Sequence, residues 1–65
     1  MEPAKRAILM CIRDGQSAIS ALARAAAVAP QDAQRLLRAL AREGLIAGGG
    51  TIPLRLTEAG RRALG

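Results

Sequence analysis

Gln31, Gln34, Arg35, Arg38 and Arg42 are the residues of this chain best suited to recognition chemistry. They recur at i, i+3, i+4, i+7 and i+11, so a helix carries all of them on one face. No acid shares that face, because Asp32 and Glu43 fall to its side. A guanidinium is a planar fork of N–H donors matched to paired acceptors, and a carboxamide both donates and accepts. Such a face suits a polyanion that also displays hydrogen-bonding edges. Arg and Gln are ordinary helix formers too, and the plain alternative is a solvated helix surface. The missing acids weigh against it, as does the balance of Lys+Arg 10 to Asp+Glu 5, net +5.

Other chemistries find few residues. The chain has no His and a single Cys, so the usual zinc and iron ligand sets are lacking, and no metal or cofactor is expected. Its five acids are scattered singly, and Cys11 has no His to activate it. Cys11 sits mid-helix in the apolar run 7–12 and reads as a small buried hydrophobe. Gly48-Gly49-Gly50 lacks the Lys and Ser/Thr that follow in a phosphate-binding loop. Enzymatic activity is not expected. With no Phe, Tyr or Trp, the chain also lacks aromatic platforms for stacking unpaired bases.

The elements that must hold the polar face can be read from local signals. Pro3 suits a helix start and Gly15 a stop, which predicts a first helix over 3–13. Ile8, Leu9 and Ile12 form its buried stripe. Met10 and Cys11 point elsewhere, toward either a C-terminal helix or a second copy of the chain. Gln16 to Ile19 reads as a stub of strand, and Ser20 as the N-cap of a helix from Ala21 to Ala26 that buries Leu22 and Ala23. Val28 plugs the following turn. Pro30 opens the third helix, residues 30–43, with Ala33, Leu36, Leu37 and Leu40 inward and Gly44 ending it. A strand at Leu45 to Ala47, the triple glycine and a strand at 51–56 predict a hairpin with Ile52, Leu54 and Leu56 inward. Pro53 belongs at an exposed edge. Thr57 caps a last short helix with Arg61 and Arg62 toward its negative end. The expected fold is mainly α with a small β-hairpin, in the order α-β-α-α-β-β-α.

Length and hydropathy bound the rest. A 65-residue chain holds one domain with one small core, covering only about 60% of its unfolded surface. Its longest apolar run is far below the ~20 residues of a membrane span, and its N-terminus does not resemble a cleaved signal. A cytoplasmic setting without membrane contact is the expectation.

Three local signatures now come together. Leu22-Ala23-Arg24, the run from Leu40 through Gly44-Leu45-Ile46, and Leu56-Thr57 followed by Gly60 span nearly the whole chain. In that order they resemble the winged helix-turn-helix regulators of bacteria, with MarR-type proteins nearest in flavour. The resemblance implies that residues 1–65 are a single winged helix-turn-helix domain binding double-stranded DNA as a small transcriptional regulator. Helix 30–43 would lie in the major groove, with Gln31, Gln34 and Arg35 reading bases and Arg38 reading bases or phosphate. Arg42, Arg24 and Arg55 would grip phosphates. It also implies a homodimer, formed through helix 1 and the C-terminal helix with Met10, Cys11, Ala63 and Leu64 available. The chain departs from the family pattern at Ala27 and Ala29, where Gly and often Ser stand, and in its short uncharged wing tip. That tip favours the alternative, a winged-helix protein-interaction or oligomerisation module without DNA binding.

Overall fold

All 65 residues are described by the computed structural model. In chain order they form helices α1 (Pro3–Arg13), α2 (Ile19–Ala26) and α3 (Pro30–Arg42), strands β1 (Ile46–Gly49) and β2 (Ile52–Leu56), and helix α4 (Glu58–Leu64). The fold is mostly helical with one two-stranded antiparallel hairpin. Its core is Ile8, Leu9 and Ile12 of α1, Leu22 of α2, Leu40 of α3, and the facing pair Ile46 and Leu56 at the base of the hairpin. Leu36, Leu37, Leu45, Leu54, Leu64 and Cys11 pack partly buried around it. The second apolar side of α1 therefore divides: Cys11 turns to the core, whereas Met10 stays 38% exposed.

Three helices end in the same way. After α1, Gln16 N–H donates to the Cys11 carbonyl and Gly15 N–H to that of Ile12. After α3, Leu45 N–H donates to Leu40 and Gly44 N–H to Ala41. After α2, Val28 N–H donates to Ala23 and Ala27 N–H to Arg24. Each pair satisfies carbonyls that the helix leaves free, and each requires a left-handed residue at the closing position. Gly15 and Gly44 fill it twice; at α2 it is Ala27, with φ 57°. Ala27 is the only non-glycine residue with positive φ, in the turn between α2 and α3.

Two local expectations fail between α1 and α2. No strand forms at Gln16 to Ile19, since the only sheet is the hairpin and Gln16 spends its N–H closing α1. Ile19 is half-buried and belongs to the helix. That draws the start of α2 back, so the N-cap is Ala18, whose carbonyl accepts from Ala21 and Leu22. Ser20 lies inside the first turn, where it cannot cap. The observed order is α-α-α-β-β-α.

The hairpin carries a register shift between Ala47 and Gly49. Gly48, with φ 91°, makes it possible: a Cβ there would sit on the Pro53 carbonyl oxygen. Beyond the shift the alternation no longer follows the core. Leu56 is buried and Leu54 half-buried as expected, but Ile52 is 62% exposed near the tip, which outruns the small core. At the other end, the Leu56-Thr57-x-x-Gly60 signature has a geometric cause. Thr57 Oγ1 donates to the Gly44 carbonyl at 2.6 Å and accepts from Gly60 N–H at 3.1 Å. Thr57 N–H donates to the Leu45 carbonyl. Gly60 is buried with that same carbonyl oxygen in the space of its missing Cβ. One threonine and one glycine thus fasten α4 to the exit of α3.

Candidate nucleic-acid interface

Helix α3 is anchored from one side. Ala33 and Leu40 are buried and Leu36 and Leu37 half-buried, which turns the remaining arc outward. Pro30 opens the helix as its missing N–H allows, but Ala29 at the N-cap offers no side-chain oxygen. Gln31, Gln34, Arg35, Arg38 and Arg42 are all exposed, so the five residues singled out by spacing do share the solvent face.

The charges around that face are arranged by position. Glu43, at the end of α3, reaches back to Lys5 of α1 at 2.7 Å. The hydrogen bond that Lys5 Nζ donates to the Glu43 carboxylate raises the Lys5 pKa above its ordinary 10.5, against desolvation and with help from the Glu43 and Glu2 charges. An acid that could have offset the arginines of α3 is thereby engaged elsewhere. Asp32 behaves differently from expectation: its carboxylate lies 3.8 Å from Arg35, so this acid does touch the polar face. Both groups are well exposed, and such an i, i+3 pair in water leaves the guanidinium free to exchange partners. Arg38 and Arg42 have no carboxylate within 4.0 Å, nor does Arg24 on α2.

Arg55 lies apart from α3. It faces Ala47 across the hairpin and lines a cleft with Arg13 and Arg61, a cleft that no residue of α3 enters. A second cleft, between α3 and the hairpin, has a volume of about 350 Å³ and includes Leu37, Arg38, Ala41, Ile52 and Leu54. Arg38 is therefore the arginine of α3 that borders the hairpin. Arg13 and Arg61 were not among the candidate residues; α1 and α4 are too distant in sequence for spacing to pair them. What the α3 face presents chemically is three guanidinium forks and two carboxamides on one exposed helix face.

Comparison with protein-family models, with curated proteins and with solved structures finds no match.

Proposed function

We propose that this chain binds double-stranded DNA as a winged helix-turn-helix transcriptional regulator, with α3 in the major groove. The observation that carries the reading is the exposed row Gln31, Gln34, Arg35, Arg38 and Arg42 opposite the buried Ala33 and Leu40. Support also comes from α2 and α3 being joined by only Ala27, Val28 and Ala29, a length suited to a helix-turn-helix. Gln31, Gln34 and Arg35, nearest the start of α3, meet base edges, where Arg pairs with guanine and Gln with adenine. Arg42 and Arg24 hold phosphates, with Arg38 serving either role. Arg55 reaches phosphate only if the duplex extends past the hairpin. A homodimer through α1 and α4 would read two half-sites about one helical turn apart, with Met10 as its exposed apolar residue, since Cys11 and Leu64 pack on the chain's own core. Sedimentation as a monomer at high concentration, with independent half-site binding, would refute that assembly.

The deciding experiment is a salt titration of binding to mixed-sequence duplex, wild type against Arg35→Ala/Arg38→Ala. Log affinity falls with log salt at a slope of about −0.9 per phosphate neutralised, and the double variant loses most of the binding. A folded protein that ignores duplex at low salt removes this reading. The rival, a protein-interaction module, draws on the exposed Ile52 and the mainly glycine tip beside the cleft of about 350 Å³. On that reading Ile52→Ser abolishes partner capture and leaves DNA out of the picture.

A further inference from the structure

Helix α3 is not the only place where arginines converge. Arg13 at the end of α1, Arg55 on β2 and Arg61 on α4 line one cleft of about 610 Å³. α1 brings Arg13 to it from the far end of the chain, and the consecutive elements β2 and α4 bring Arg55 and Arg61. The one acid in the wall is Glu58, whose carboxylate sits 3.5 Å from Arg62, a residue outside the cleft. Arg13 holds Asp14 at 3.2 Å through Nε, leaving its two terminal nitrogens to donate elsewhere. Arg55 and Arg61 have no carboxylate within 4.0 Å. Three arginines against one glutamate leave the wall with a surplus of two positive charges. The buried Ile12 and Leu56 also line the cleft, beside the exposed Arg13, Arg55 and Arg61.

We propose that this cleft is a phosphate-binding site. A phosphate dianion matches the surplus charge, and its four oxygens can occupy three forks at once. A carboxylate offers two oxygens and a single charge, and satisfies one fork. The chain has no His, and the second ionisation of phosphate supplies the dianion that matches this charge. The phosphate belongs either to a small phosphorylated molecule or to a DNA backbone running past the hairpin. The site does not depend on α3 binding DNA, since Arg55 is the only residue the two readings share.

The test is a titration of inorganic phosphate into isotope-labelled protein at constant ionic strength, following backbone amide shifts. Saturable shifts are expected around residues 12–13, 54–56 and 58–61, with tighter binding above the second pKa of phosphate than below it. Arg61→Gln and Arg13→Gln should each weaken binding about tenfold, the range of one charge-assisted hydrogen bond. Arg6→Gln removes the same charge from an exposed site on α1 outside the cleft and should leave binding unchanged. Shifts that never saturate, shifts as large on α3 as at the cleft, or an equal loss in Arg6→Gln would overturn the proposal. Once saturable binding is established, DNA names the source. A backbone source requires Arg61→Gln to lower the salt slope of duplex binding by about one, and a small-molecule source leaves that slope intact. A protein that binds phosphate but no duplex overturns the proposed function alone.

Discussion

Ala27 shows how much a single residue can hold against its own preference. An L-residue in the left-handed region costs about 1–2 kcal/mol, and glycine occupies it freely at some cost in unfolded-state entropy. The other two closures of this type use Gly15 and Gly44. Ala27→Gly should therefore stabilise the domain by about 0.5–1 kcal/mol, seen as a higher urea midpoint with unchanged slope. Destabilisation instead would mean that the Ala27 methyl group makes a contact worth more than the strain. Lys5 provides the titratable counterpart. Its pKa is raised by the Glu43 hydrogen bond, so the pair stabilises fully below the ordinary 10.5 and is lost as pH rises through the raised value. Wild type and Lys5→Met should differ by a constant margin in urea midpoint from neutrality to 10.5, and that margin should close above it. A margin that instead narrowed on going from pH 10.5 down toward neutrality would contradict the assignment.

At the scale of elements, α3 has a well-formed end and an incomplete beginning. Its C-terminus is closed by Gly44 and Leu45, and the Thr57 hydroxyl then takes the Gly44 carbonyl. At its N-terminus the extended backbone of Ala29 is ready for a cap that the methyl side chain cannot supply. Ala29→Ser should add about 1 kcal/mol. For a domain of this size that raises Tm by about 4–8 °C, readable by circular dichroism. No gain would show that the free N–H groups of the first turn are already satisfied by solvent. Most of this layout is legible in sequence because it is local. Pro3, Pro30, Gly15, Gly44 and Thr57 each mark an end through contacts with residues at most five positions away. The failures have the same origin. Ser20 has the residue type of a cap, but the half-buried Ile19 carries the helix start past it. Gln16 to Ile19 has apolar and polar residues enough for a strand and no neighbour to pair with.

The whole molecule is small enough that its core leaves little margin. Ile8, Leu9, Leu22 and Leu40 are the large side chains fully removed from solvent, one or two from each of the first three helices. Leu40→Ala should cost about 2–5 kcal/mol, comparable to the few kcal/mol such a core supplies. A largely unfolded population at 25 °C is the expected result by circular dichroism, and near-native stability would mean that α3 is held chiefly by the hairpin and α4. Leu22→Ala should behave alike, because both residues join helices that the hairpin alone cannot hold together.

The sequence by itself determined the ends of α1 and α3, which of their residues turn inward, and that Thr57 caps the last helix. Those choices depend on backbone sterics and on side chains a few positions apart, which are present in any sufficiently long fragment. Tertiary structure alone decided that Glu43 serves Lys5 across 38 residues, that Ile52 projects beyond the core, and that Arg13, Arg55 and Arg61 share one cleft. Electrostatic and packing partners are set by distance in space, and that distance is defined only once the helices have been packed against the hairpin.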